Sequence, residues 1–187
     1  SRAILEYSAI AGISDATRQL GINPSDAVNS SDTIETRAKY DYSSVDSAVL
    51  KKAAKIRYTL ELFQKNQDGA YAETPLEIGE YLMSVRMEAA GEPSFSPETS
   101  CQWTKSFNSS EDKQEFAYID FTPLTGEAFE AKGHTYANYK VRLTAVLLDQ
   151  DSKEIDGTKA SDYIIYTNAR IYQQILETMQ GAEAGNK

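Results

Sequence analysis

A chain of 187 residues, 41% hydrophobic and 25% charged, can bury a sizeable core and is not a wholly disordered polymer. Its net charge of −9 repels phosphate backbones and anionic bilayers, which argues against nucleic acid and a membrane surface as partners. No apolar run approaches the roughly 18 residues of a membrane span, and one cysteine, Cys101, excludes an intramolecular disulfide framework.

Ser1 opens the chain without a basic and apolar leader, which reads as a mature form or a piece of something longer. Ala3–Ile10 reads as a short strand. Ser14–Gly21 carries an N-cap serine and a terminating glycine, the signature of a short helix. Residues 25–36 are polar and weakly periodic and read as a surface loop. From Ser44 to Ala54, Val45, Ala48, Val49 and Lys52 fall on one helical face, with Ser43 or Ser44 as cap and Asp46 in the first turn.

Strand patterning dominates thereafter. In Lys55–Gln64, Ile56, Tyr58, Leu60 and Leu62 alternate with Arg57, Thr59 and Glu61, and Asn66–Gly69 signals a turn into a short partner near Ala70–Ala72. Leu82–Glu88, Gln102–Phe107 and Phe116–Thr122 follow as strands. In the last of these Phe116, Tyr118 and Asp120 share one face and Ala117, Ile119 and Phe121 the other, and Pro123 ends it. The clearest unit is a hairpin, Tyr136 to Arg170. Its first arm points Tyr139, Val141, Leu143, Ala145 and Leu147 one way and Lys140, Arg142 and Thr144 the other; its second arm is Tyr163–Ala169. Ile171, Ile175 and Met179 at helical spacing suggest a terminal helix before a frayed end.

The expected fold is mainly β with short helices: an antiparallel β-sandwich, immunoglobulin-like, in a single domain over residues 1–187. A helical insertion spans about 14–54, and a C-terminal helix or tail about 171–187. Short strands without regular βα alternation argue against a parallel sheet.

No catalytic residue is assigned, and no enzyme activity is expected. The chain holds one histidine, His134, and no HExxH, CxxC, GxGxxG, P-loop or GxSxG pattern. Cys101 has no neighbouring histidine and reads as an inert, semi-buried thiol. No metal or other cofactor is expected. The acidic turn Asp149, Asp151, Glu154 and Asp156 offers oxygens to calcium, but Lys153 stands where an EF-type loop needs an oxygen and the required glycine is missing. Asn29-Ser30-Ser31 and Asn108-Ser109-Ser110 match glycosylation acceptors of low specificity. A covalent reading also follows from placement: Lys55 in an early strand and Asn168 in the last could join as an isopeptide, with Asp120 as the buried acid.

Phe116–Gly126, Thr135–Thr144 and Asp162–Ala169 together resemble β-sandwich modules, immunoglobulin-like or pilin-like, of large surface proteins of Gram-positive gut bacteria. That resemblance implies an extracellular or cell-wall-attached module for adhesion, or for binding a host or matrix protein such as immunoglobulin. It carries no functional residues with it.

Twelve tyrosines against one tryptophan and six phenylalanines are a tilt toward amphipathic aromatics, which suit strands packed on a sheet and contact surfaces alike. Tyr40, Tyr42, Val45 and Val49 are the expected partner-binding residues, on and just before the Ser44–Ala54 helix. A purely structural stalk domain is one alternative. A carbohydrate-binding domain, with Trp103 and surface tyrosines stacking on sugar, is the other.

Overall fold

The computed structural model describes residues 2–11, 27–30, 33–65, 68–124, 132, 138–168 and 181. Along the chain these residues form β1 (Ile4–Ala11), β2 (Ala27–Ser30), β3 (Ile34–Asp41), the short helix α1 (Ser47–Leu50), β4 (Lys55–Gln64), β5 (Leu82–Met87), β6 (Cys101–Ser106), β7 (Gln114–Pro123), β8 (Asn138–Leu148) and β9 (Ala160–Asn168). One sheet has the order β1-β3-β7-β5, here sheet A. The other has the order β2-β9-β8-β4-β6, here sheet B. All pairs are antiparallel except β2 with β9, which run parallel.

Consecutive strands from β1 to β8 alternate between the two sheets, so β8–β9 joins neighbours within one sheet. The orders β1-β3-β7-β5 and β9-β8-β4 are those of the two sheets of a seven-stranded immunoglobulin-type sandwich. β2 extends the β9 edge and β6 the β4 edge.

The expected alternation holds where it was strongest. Ile56, Tyr58, Leu60 and Leu62 of β4, and Tyr139, Val141, Leu143, Ala145 and Leu147 of β8, are buried. They stack in register, with Leu60 opposite Leu143 and Tyr58 opposite Ala145. Each large side chain so removed from water contributes about 1.5–3 kcal/mol. From sheet A, Leu5, Tyr7, Ile34, Ala38, Tyr40, Ile119 and Phe121 meet them in one cluster.

Side-chain bonds tie the sheets at one margin. The Tyr40 hydroxyl donates to the Thr158 carbonyl in the β8–β9 connection. The Asp162 carboxylate of β9 accepts the Tyr7 N–H of β1 at 2.9 Å. That bond also occupies a backbone donor on an edge strand. Inside, the Thr36 hydroxyl donates to the Ile119 carbonyl at 2.8 Å and lies 3.0 Å from the Tyr7 hydroxyl, so a buried polar residue is satisfied.

Three expectations are corrected. The helical insertion over about 14–54 reduces, among described residues, to α1; the Ser14–Gly21 helix and the C-terminal helix fall outside them. The expected Ser44–Ala54 helix stops early because sheet B recruits its last backbone: the Ala54 N–H donates to the Leu148 carbonyl at 2.8 Å, and the Ala54 carbonyl accepts from Phe107 at 3.0 Å. The expected loop over 25–36 contains β2 and the start of β3. In β7, Ala117, Ile119 and Phe121 face the core while Phe116 and Tyr118 are exposed, so Asp120 lies on the outer face, paired to Arg86 at 3.1 Å. Arg37 covers the Phe116 ring at 5.6 Å, which lets an aromatic sit outside.

Truncating adjacent residues of β8 separates the two faces. Leu143→Ala should cost about 2–5 kcal/mol in urea unfolding, and Thr144→Ala should stay within about 0.5 kcal/mol. Equal costs at the two positions would contradict the assigned faces.

Candidate functional site

The expected contact residues do not form a surface. Tyr40 is 0% and Tyr42 1% exposed, and Val45 is buried with them; Val49 is half-buried and packs against the core. Tyr42 meets Phe107 edge-on at 5.1 Å, and its hydroxyl accepts the Ser110 N–H at 2.8 Å. These tyrosines are amphipathic anchors of the interior: each ring fills the core and each hydroxyl satisfies a loop. The assignment of Tyr40, Tyr42, Val45 and Val49 to partner contact is therefore corrected.

Other sequence candidates separate. Lys55 lies opposite Leu148, whereas Thr167, next to Asn168, lies opposite Asn138. Nearly all 11 residues of β8 lie between them, about 30 Å at 3.3 Å per residue, so no Lys55–Asn168 amide bond can form. Trp103 is buried on the inner face of β6 and offers no platform for a sugar. His134 lies outside the described residues. Cys101 is fully buried, and burial pushes its thiol up to about 12.

In the acidic turn, one Asp149 carboxylate oxygen accepts the N–H groups of Asp151 and Lys153 at 2.9 and 3.0 Å. Glu154 is held by Arg57 and by Lys159 at 2.7 Å. These oxygens shape the turn. Among the described residues no three metal-ligating side chains converge.

Convergence occurs instead on the solvent side of sheet B. Cross-strand register places Glu61, Arg142 and Tyr163 in one row and Phe63, Lys140 and Ile165 in the next. The Lys65–Tyr71 bridge folds Tyr71 back over the end of β4. The Lys140 ammonium then lies 5.0 Å from the Phe63 ring centre and 5.7 Å from those of Tyr71 and Tyr163. Arg142 lies 4.6 Å over Phe63 and donates to Glu61 at 2.8 and 3.3 Å. Phe63 is thereby only 3% exposed, although it points away from the core, whereas Tyr163 is 52% exposed. Outward-facing Lys140 and Arg142 were legible from alternation; the rings around them were not, because they come from three separate stretches.

Shallow clefts lie elsewhere among the described residues. Ile10, Glu35, Glu88, Tyr118, Asp120 and Arg86 line one of about 230 Å³ on the outer face of sheet A. Glu77, Gly79, Glu80, Phe95 and Glu98 line another of about 220 Å³.

Glu115, at the start of β7, is a carboxylate facing inward. The Tyr58 hydroxyl donates to it at 3.3 Å. Burial raises its carboxyl above the ordinary range, against the lowering effects of Lys105 and the Tyr58 bond. Glu154 shifts downward, chiefly through the Lys159 bond.

No protein-family model matches the chain, and no curated protein matches it. Several solved structures are similar to it. One is the cohesin module of a family 33 glycoside hydrolase from Clostridium perfringens: 11% identity, 90% of this chain and 98% of that one, TM-score 0.46. Another is the DNA-binding domain of C. elegans Cep-1: 9% identity, 97% and 99% coverage, TM-score 0.48. A third is the partial N-terminal region of the enterococcal surface protein: 12% identity, 88% and 42% coverage, TM-score 0.45. A region of a bacterial surface protein is thus among the chain's structural neighbours.

Two titration-linked outcomes follow. The folded chain holds the Glu115 proton at pH values where the unfolded chain has released it, so this residue costs stability as the pH rises through that interval and above it. Glu115→Gln keeps an acceptor for Tyr58, and thermal unfolding should show a higher Tm at pH 7 with a flatter decline from pH 4.5; a lower Tm at pH 7 would count against the assignment. Native Cys101 should resist a disulfide reagent at pH 8 that labels the urea-unfolded chain within minutes. Comparable labelling of both states would show that the thiol is not enclosed.

Proposed function

We propose that this chain is a binding module of an extracellular bacterial surface protein, not an enzyme, and that it meets a host or matrix protein through the outer face of β9, β8 and β4. The observation that carries this reading is the exposed Tyr163 ring beside the aromatic-flanked Lys140. A rigid tyrosine with an adjacent cation is the composition of an interface hot spot, because it buries area at low entropic cost and offers polar reach. The sheet behind it is fixed by ladders on both sides of β8, so the patch is presented with little reorganisation.

The resemblance to adhesion modules makes immunoglobulin, matrix proteins and mucins the partners to examine. The purified chain should be tested by biolayer interferometry against immunoglobulin G, fibronectin and mucin. Binding to one of these, weakened about tenfold or more by Tyr163→Ala and unchanged by Tyr118→Ala on sheet A, is the expected result. No binding to any of the three, or equal sensitivity to both variants, would favour a structural stalk instead.

A further inference from the structure

We propose that the outer face of β9, β8 and β4 binds a carboxylated sugar, a uronic or sialic acid residue, with Lys140 taking the carboxylate and Tyr163 stacking against the ring. This rests on the same face proposed above for partner contact and names the chemical group recognised there.

Four cations on this side of sheet B already have oxygen partners. Arg142 is neutralised by Glu61 at 2.8 Å, Lys159 by Glu154 at 2.7 Å, and Arg57 by the same Glu154. Lys55 donates to the Ser152 hydroxyl at 2.9 Å. Lys140 differs: its contacts among the described residues are the three rings at 5.0, 5.7 and 5.7 Å, with no oxygen acceptor. Ring faces stabilise a cation by their quadrupole, but they do not satisfy the directional N–H donors of an ammonium. A half-buried lysine whose ammonium meets no oxygen among the described residues therefore favours an anionic oxygen from outside.

The surroundings select which anion. Arg142 and Glu61 cancel, whereas Lys140 has no acidic partner among the described residues, so the cation between the rings fits a single carboxylate. The chain as a whole carries −9, which opposes polyanions such as nucleic acid. Beside the ammonium, Tyr163 exposes 52% of its surface. An exposed tyrosine ring presents a flat apolar face matched to the C–H face of a pyranose, with a hydroxyl at its rim for sugar hydroxyls. Carboxylate and ring face together describe an acidic sugar better than a free carboxylate or a neutral one.

The test is isothermal titration of the full chain with four probes: 3′-sialyllactose, a galacturonate trisaccharide, lactose, and an aspartate-rich hexapeptide. The proposal expects one or both acidic sugars to bind, with lactose and the peptide about tenfold weaker or undetected. The two acidic arms separate sialic from uronic recognition. Lys140→Gln should lose about tenfold or more, the loss of one charge-assisted hydrogen bond. Tyr163→Ala should weaken binding similarly, Lys140→Arg should retain part of it, and Arg86→Gln on sheet A should leave it unchanged. Unaltered thermal unfolding of each variant separates lost binding from lost fold. Equal binding of lactose and sialyllactose, preference for the peptide, no binding of any sugar, or indifference to Lys140→Gln would each overturn the proposal. If Tyr163→Ala abolishes binding of a protein partner while Lys140→Gln does not, the sugar is refuted and the partner face stands.

Discussion

The fold depends on one constraint: β8 is laddered on both sides, to β4 and to β9, while one of its faces is sealed in the core. A strand in that position has no freedom of register. A slip of one residue would turn Tyr139, Val141, Leu143, Ala145 and Leu147 out to water and drive Lys140, Arg142 and Thr144 into the interior. Burying two unpaired cations costs far more than any rearrangement of the loops could return. The same lock that fixes the inner face fixes the outer one, so the position of Lys140 beside Phe63 and Tyr163 is a consequence of core packing.

The second sheet is held to the first by a different kind of contact. Because successive strands alternate sheets, sequence-local ladders cannot hold sheet A against sheet B. Its margin is closed by the Tyr40 hydroxyl on the Thr158 carbonyl and by Asp162 on the Tyr7 N–H. Thr158 also donates to the Ile155 carbonyl at 2.6 Å and accepts the Leu147 N–H at 3.2 Å, so the β8–β9 connection is anchored at both ends of its tie. Tyrosine abundance thus serves the interior first, at Tyr7, Tyr40, Tyr42, Tyr58 and Tyr139, and the surface second.

What could be read from the chain follows from how strongly each stretch signals. β4 and the β8–β9 hairpin were legible because large apolar side chains mark every inward position. β3 was not, because two of its inward positions are Thr36 and Ala38, which are small or polar and look like loop residues until a core closes on them. Period 2 located β7 but could not choose its inner face, since both of its faces carry aromatics. Tyr40 and Tyr42 were misplaced for a related reason: aromatic composition suggests a contact surface, but only tertiary packing shows which aromatics it uses. The Lys140 cluster needs residues 63, 71, 140 and 163 brought together by register, information that no single window contains.

Amide hydrogen exchange on the full chain addresses the central role of β8 most directly, because the strand closed on both sides and on one face should open only with the whole structure. Protection should be greatest for the amides of Val141–Leu147 in β8 and of their partners in β4, and markedly lower in the edge strands β5 and β2. Exchange of the β8 amides at rates matching those of β5 would contradict the account.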